Sequence, residues 1–243
     1  MTLEFLAILA VVATFSVVQS IFGMGVLVFG TPTLLLMGYD FPTTLSILLP
    51  ASFSISLLQV LTAGASKVRV SRFLYLLCLP GIGFGLWLTD NSLLIPWINT
   101  LVGGTMLISA LVRIWPPSLK VLTALLNKHL AAYHLIMGVI HGLTNLGGAM
   151  LAILASGTNT EKAAIRYTVA HYYLAFSVIQ MLLLATLMGH ADRLIANVST
   201  AAVSALVYFL VGNRIFIRSS NHAYNTALTM FIAIYGAAIL LTR

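Results

Sequence analysis

Two long apolar segments of the sequence are each interrupted by a short stretch of glycine and polar residues. These stretches are residues 17–28 (VVQSIFGMGVLV) and residues 139–150 (VIHGLTNLGGAM). In a bilayer an unpaired backbone amide or carbonyl group is costly, so a helix is broken there only where the freed groups are buried in protein or face water. An interruption that occurs once in each half of a chain indicates a transporter binding site.

The composition places the chain in a membrane. Of its 243 residues, 60% are hydrophobic and 7% are charged, and the mean hydropathy is +1.04. Soluble domains carry about 25% charged residues. The net charge of +7 comes from basic residues that are spread over the sequence and form no patch, so no nucleic-acid partner is expected.

A transmembrane helix needs roughly 20 apolar residues. On this basis the sequence predicts an all-α membrane protein with about eight transmembrane helices, arranged as two four-helix repeats. The first helix of each repeat is expected to be broken at its glycine-rich stretch. Residues 1–115 would form the first repeat, 116–128 a linker and 129–243 the second repeat. The predicted spans are residues 3–37, 43–63, 73–88, 94–112, 129–155, 164–188, 194–212 and 223–241.

The two halves also match in their polar residues. A shift of 121 residues aligns the tetrapeptide Ser-Leu-Leu-Gln that ends at Gln59 with Ser-Val-Ile-Gln that ends at Gln180. A shift of 122 residues aligns the two interrupted stretches. The pairs aligned there are Gln19 with His141, Gly23 with Asn145 and Gly25 with Gly147. Polar residues that recur at matched depth favour an internal repeat.

An even number of spans in each half predicts a parallel repeat about an axis along the membrane normal. With a cytoplasmic N-terminus, the positive-inside rule is satisfied, and the C-terminus is cytoplasmic as well. The connections on the cytoplasmic side then hold Lys67, Arg69, Arg72, Arg113, Lys120, Lys128, Arg193 and Arg243. The connections on the other side hold Lys162, Arg166, Arg214 and Arg218.

The sequence carries no enzyme signature. It lacks His-Glu-x-x-His, Cys-x-x-Cys, Gly-x-Ser-x-Gly and phosphate-loop patterns, and its acidic residues lie near predicted membrane edges. No catalytic residue, metal site or cofactor is therefore expected. Gly81 and Gly85, like Gly138 and Gly142, are spaced for close approach of two helices.

The remaining polar residues at membrane depth should face inward, because lipid offers them no partner. At each break the following half-helix begins with free N–H groups and a partial positive charge. Two such ends would bind an anion without any buried Lys or Arg. The predicted substrate-binding residues are Gln19, Ser20, Gly23, Gly25, Gln59, His141, Thr144, Asn145, Gly147, Gly148 and Gln180.

Histidine titrates near neutral pH, so His141 and His171 are the predicted proton-coupling residues. Structural roles remain open for the same positions. The glycines would serve close helix packing, and Gln59 and Gln180 would bond neighbouring helices. Asp40 and Glu161 are interpreted as helix caps rather than gates.

The order of residues in both halves resembles the sulfite exporter TauE/SafE family. The resemblance rests on residues 19–32, with Gly23-Met-Gly25 and Gly30-Thr-Pro32, and on residues 141–155, with Asn145-Leu-Gly147-Gly148. It implies a secondary transporter of the bacterial inner membrane, expected to export sulfite, a sulfonate or another small sulfur-containing or organic anion. The expected partners are that anion and membrane lipid, with a homodimer left open. Alternative functions are an anion channel, or a membrane enzyme or scaffold without transport.

Overall fold

The computed structural model describes residues 3–90 and 128–241, together with the isolated positions 107, 111 and 124. Within these residues the chain forms helices joined by short turns, and no strand occurs. The fourth predicted span, residues 94–112, lies outside the described residues apart from two isolated positions. The predicted linker lies outside them apart from positions 124 and 128.

Eleven α-helices are described in residues 3–87 and 130–241. They are α1 (Leu3–Phe22), α2 (Val26–Leu36), α3 (Phe41–Leu61), α4 (Leu79–Trp87), α5 (Leu130–Thr144), α6 (Gly148–Thr158), α7 (Lys162–Thr186), α8 (Ala191–Ala196), α9 (Val198–Val207), α10 (Asn213–Arg218) and α11 (Asn221–Leu241). Two π-helical turns also occur, Leu74–Cys78 before α4 and Tyr208–Gly212 between α9 and α10.

Several of these helices suit a bilayer. Within the described residues, α1, α3, α7 and the continuous segment Ala191–Arg218 are long and apolar enough to cross a membrane. Shorter apolar helices include α2, α5 and α6. With so few charged residues to face water, this is an integral membrane protein.

The chain divides into two compact units. The first unit consists of Met1–Val68 and Arg166–Ser219, and therefore contains α1, α2 and α3 with most of α7 and with α8, α9 and α10. The second unit consists of Arg69–Ile165 and Ser220–Arg243, and contains α4, α5, α6 and α11.

Buried hydroxyl groups join the helices of the first unit. The Oγ atoms of Ser16 in α1 and Ser204 in α9 lie 2.7 Å apart. Thr200 in α9 donates from Oγ1 to the carbonyl oxygen of Ile47 in α3 at 2.9 Å. Without a hydrophobic force between helices in lipid, such hydrogen bonds and close packing hold the helices together.

In the second unit, α4 and α5 approach closely through glycines. A Cβ atom added to Gly81 would lie 2.9 Å from the carbonyl oxygen of Leu135. Cβ atoms at the other three positions would meet carbonyl oxygens of the facing helix. These pairs are Gly85 with Val139, Gly138 with Cys78 and Gly142 with Ile82. The predicted close approach at these four glycines is confirmed.

The N-termini of α3 and α7 are capped differently. Asp40 accepts a hydrogen bond from the backbone N–H of Thr43 at 2.7 Å, which confirms it as the cap of α3. This hydrogen bond lowers the pKa of Asp40. At α7, Asn221 donates to the carboxylate of Glu161 at 2.7 Å, and its own side-chain oxygen accepts from Lys162 N at 3.2 Å. The first-turn amide of α7 is thus bonded by Asn221.

Candidate functional site

Three residues, Gly23, Met24 and Gly25, separate α1 from α2, and we call them the first break. Gly23 has φ +83°, a left-handed conformation that glycine adopts without steric cost. A Cβ atom at this position would also lie 2.9 Å from the carbonyl oxygen of Arg166 in α7. The backbone of the break therefore requires glycine at position 23 for two separate reasons.

The side chain of Gln19 closes the first break. Its Oε1 atom accepts from the backbone N–H of Val26, the first residue of α2, at 3.0 Å. Its Nε2 atom donates to the carbonyl oxygen and Oγ of Ser52, both at 3.0 Å, and to Oγ of Ser56 at 3.1 Å. One buried amide thus bonds the start of α2 and attaches the break to α3. The sequence predicts free N–H groups at the start of the half-helix that follows the break, but the N–H of Val26, the first residue of α2, is bonded to Gln19.

Gln59 of α3 bonds the other side of the same break, at the C-terminal end of α1. Its Nε2 atom donates to the carbonyl oxygens of Gln19 at 2.8 Å and Ser20 at 3.0 Å. The carbonyl oxygen of Gln19 also accepts from the backbone N–H of Gly23 at 2.7 Å. The carbonyl oxygen of Ser20 belongs to the last turn of α1, where carbonyl groups lack intrahelical partners, and the amide of Gln59 bonds it there. The hydroxyl of Ser20 donates back to the carbonyl oxygen of Ser16 at 2.6 Å.

Arg166 is a functional candidate that sequence reasoning missed. The sequence places Arg166 in a connection between spans and predicts no buried cation, but its side chain is only 8% exposed. Its Nη1 atom donates to the carbonyl oxygen of Ser20 at 3.2 Å and to Oδ1 of Asn213 at 3.1 Å. Its Cζ atom lies 3.4 Å from the ring centroid of Phe216. Asn213 and Phe216 share one face of α10 at i, i+3 spacing, which was the available sequence signal.

Two further predicted residues lie on α7 within the first unit. Gln180 is fully buried, and His171 is half-buried. The ring of His171 lies 5.8 Å from that of Tyr167, measured between centroids. Both side chains belong to a membrane-capable helix, as the sequence predicts.

The second break consists of residues 145–147, between the end of α5 and the start of α6. Asn145 adopts a left-handed conformation with φ 63°. Its backbone N–H donates to the carbonyl oxygen of His141 at 2.7 Å, which ends α5. The N–H of Leu146 donates to Oγ1 of Thr144 at 3.0 Å. Asparagine tolerates this conformation better than most residues with a Cβ atom.

The second break is tightly packed around His141. The His141 side chain is fully buried. A Cβ atom at Gly147 would lie 2.8 Å from the Cβ of His141 and 3.2 Å from its Nδ1 atom, so the imidazole lies directly against this glycine. Thr144, Asn145 and Gly148 are buried beside it.

Ten of the eleven predicted substrate-binding residues therefore form two groups, one in each unit, and the eleventh, Gln180, lies on α7 of the first unit. The group at the first break is Gln19, Ser20, Gly23, Gly25 and Gln59. The group at the second break is His141, Thr144, Asn145, Gly147 and Gly148. Throughout the described ranges, no three His, Cys, Asp or Glu side chains come together as a metal site.

The sequence profile of the family described as Sulfite exporter TauE/SafE matches residues 6–239. The chain belongs to the sulfite exporter TauE/SafE family. The family resemblance predicted from the two glycine-rich stretches is thus confirmed, and the match covers both breaks. This TauE/SafE protein is a membrane transporter and not an enzyme. No curated protein and no solved structure matches the TauE/SafE chain.

Proposed function

We propose that the protein is a secondary transporter that exports a small sulfur-containing or organic anion, such as sulfite or a sulfonate. The anion would bind at a central site between two pseudo-symmetric halves, residues 1–115 and 129–243. The membrane would be a bacterial inner membrane, with both termini in the cytoplasm. This proposal refines the general role of a transporter for sulfite-type anions that the family match supports.

The observation that carries the proposal is the occurrence of one polar helix break in each sequence half of a TauE/SafE chain. Transporters of other folds place substrate between discontinuous helices, whose half-helix ends supply partial charges at the bilayer midplane. Neutral donors at the breaks would bind an anion weakly enough for release, and the buried guanidinium of Arg166 beside the first break would add a positive charge. The buried polar residues at both breaks support such a site.

Transport is tested by anion uptake into proteoliposomes that contain the purified protein. The variants His141→Ala and Asn145→Ala should lower the affinity or the rate, because both residues belong to the second break. His222→Ala and Asn225→Ala on α11 are matched controls, since both residues lie outside the two breaks. Unchanged affinity and rate in both break variants would remove these residues from the proposed site.

A carrier and a channel differ in exchange. A carrier should saturate and should exchange labelled anion on one side for unlabelled anion on the other. A channel would conduct without such exchange. Counterflow measured in the same proteoliposomes therefore decides between them. Whether the protein works as an exporter is tested by asking if anion moves from its cytoplasmic side to the opposite side under an imposed gradient.

We further propose that His141 and His171 couple anion movement to a proton. Histidine is the side chain whose ordinary pKa lies nearest neutral pH, so it can gain and lose a proton during transport. An imposed pH gradient should drive anion accumulation in the unmodified protein. It should fail to do so in His141→Gln or His171→Gln, while exchange at equal pH continues.

A further inference from the structure

The end of α1 at the first break is approached by two side chains of different chemistry. The carbonyl oxygen of Ser20 accepts from Gln59 Nε2 at 3.0 Å and from Arg166 Nη1 at 3.2 Å. The amide of α3 and the guanidinium of α7 therefore meet at one backbone oxygen. All three residues belong to the first unit.

The hydrogen bonds of Gln59 fix the orientation of its amide. Nε2 donates to two carbonyl oxygens, of Gln19 and of Ser20, and carbonyl oxygens only accept. A flipped amide would place Oε1 against both of these oxygens, so the network assigns the nitrogen and oxygen positions. Because Oε1 and Nε2 are bonded to one carbon atom, Oε1 lies close to the end of α1 that Nε2 bonds.

The Oε1 atom of Gln59 is an unfilled acceptor. The residue is 1% exposed, and Oε1 has no hydrogen-bond partner in the part of the chain that the structure describes. Buried polar side-chain atoms in folded proteins nearly always have a partner. An acceptor that is held in place while its own partner is missing calls for a donor that binds from elsewhere.

Arg166 places a permanent positive charge at the same carbonyl oxygen of Ser20 that Gln59 bonds. Its guanidinium is oriented by the carbonyl oxygen of Ser20, the amide oxygen of Asn213 and the ring of Phe216. A cation at the C-terminal end of α1 is also favoured by the helix dipole, which accounts for its burial there. Helix capping explains Arg166 by itself, but it does not explain the unfilled oxygen of Gln59.

We propose that Gln59 and Arg166 form a subsite for an anion that also carries a hydrogen-bond donor. The negative charge would lie toward Arg166, and the donor would bond Oε1 of Gln59. A singly protonated inorganic oxyanion such as hydrogensulfite has this chemistry, and so does a sulfonate with a hydroxyl or ammonium group. The inference rests on the proposed anion transport and names the substrate class that the first break selects.

The first experiment compares matched ligands on the unmodified protein. Binding of ethanesulfonate, hydroxyethanesulfonate and hydrogensulfite is measured by calorimetry, and their transport by competition with labelled sulfite in proteoliposomes. Hydroxyethanesulfonate should bind at least about tenfold more tightly than ethanesulfonate, since a site built for a donor rejects the analogue that lacks it. Comparing hydrogensulfite with hydroxyethanesulfonate shows whether the subsite prefers an inorganic oxyanion or an organosulfonate.

The second experiment uses variants. Gln59→Met removes the acceptor at similar side-chain size and should abolish the preference for hydroxyethanesulfonate over ethanesulfonate. Asn225→Leu, which removes a side-chain amide on α11 outside both breaks, should retain that preference. Arg166→Gln should weaken binding of both sulfonates, and Arg166→Lys should restore part of it, because lysine keeps the charge but not the guanidinium geometry.

The outcomes separate the two proposals. If no anion is transported or bound, the proposed function fails and the subsite fails with it. If anions are transported but hydroxyethanesulfonate and ethanesulfonate bind equally to the unmodified protein, the subsite alone is overturned. A Gln59→Met protein that keeps the donor preference also overturns it. If that variant does not fold, the ratio measured on the unmodified protein decides the matter.

Discussion

The two helix breaks are closed by different means. At the first break, side chains from three helices meet, with Gln19 from α1, Gln59 from α3 and Arg166 from α7. At the second break, Thr144 and Asn145 bond groups of their own stretch. The conformation of the first break thus depends on residues far apart in sequence. The second break includes hydrogen bonds between residues that are neighbours in sequence.

This contrast matters for anion transport. A break held by side chains of other helices can respond when those helices move, since its hydrogen bonds cross between them. A break held by a left-handed asparagine and a neighbouring threonine keeps its shape as a local turn. We therefore expect the first break to be the more sensitive to substitutions, and the predictions below test this from the largest effect to the smallest.

The largest effect is expected for Gly23→Ala. The substitution places a Cβ atom in a left-handed conformation and within 2.9 Å of a backbone oxygen of α7. Conformational strain and steric overlap together should lower the free energy of unfolding by about 4 kcal/mol. Chemical unfolding in mixed micelles measures this change.

Substitutions at two other glycines separate the contribution of conformational strain from that of steric overlap. Gly38 also has a positive φ, of 93°, but has nothing within 4 Å of an added Cβ, so Gly38→Ala should cost about 1 kcal/mol from strain alone. Gly147 of the second break has φ −63°, and an added Cβ would lie 2.8 Å from the Cβ of His141 and 3.2 Å from the carbonyl oxygen of Met137. Gly147→Ala should therefore cost about 2 kcal/mol from steric overlap without backbone strain. If Gly147→Ala destabilises as much as Gly23→Ala, the breaks do not differ as proposed.

The next largest effect is expected for Gln19→Leu. It leaves the N–H of Val26 without its acceptor and removes three donated hydrogen bonds to the serines of α3. Buried groups that lose their partners should make the loss about 3 kcal/mol in the same unfolding measurement. Ser52→Ala is the control, and should cost about 0.5 kcal/mol because Nε2 of Gln19 keeps two other acceptors. A small effect of Gln19→Leu would mean that α2 begins without this cap.

The positions of the breaks were predictable from sequence because glycine and polar residues inside an apolar run have few structural alternatives. The start of α3 was predictable because Asp40 precedes Phe41 and Pro42 in the order of a capped first turn. The hydrogen bond between Gln19 and Val26 was not predictable, because the two residues meet only after the chain has turned at the break. The burial of Arg166 depends on Asn213 and Phe216, which only the folded chain brings close.

The second break is tested at Asn145. Replacement by alanine keeps a Cβ atom in the left-handed conformation and loses the side-chain amide, whereas glycine removes the strain. Asn145→Ala should therefore unfold about 1 kcal/mol more easily than Asn145→Gly. Since both variants lack the side-chain amide, the difference between their free energies of unfolding measures the backbone strain at position 145. Equal stability would show that the backbone of this break is not held in the left-handed region.

The smallest effect is expected at the cap of α3, the helix that carries Gln59 to the first break. The hydrogen bond from Thr43 lowers the pKa of Asp40 in the folded protein. The stabilisation is therefore complete above the unfolded-state pKa of about 3.9, and is lost as the pH falls through the folded-state value. Asp40→Asn keeps a capping oxygen but cannot titrate, so it should cost only about 0.5 kcal/mol at neutral pH.

In acid, the stability of the Asp40→Asn variant should change less than that of the unmodified protein, so the two melting temperatures should converge. Asp40→Ala loses the cap at every pH and should cost about 1 kcal/mol at neutral pH. At α7, the asparagine Asn221 bonds the first-turn amide and also donates to the carboxylate of Glu161, so Asn221→Ala should lower the melting temperature at neutral pH. If Asp40→Asn and the unmodified protein lose stability in parallel as the pH falls, the carboxylate does not contribute through its charged form. The contrast between the two helix starts would then lie in geometry alone.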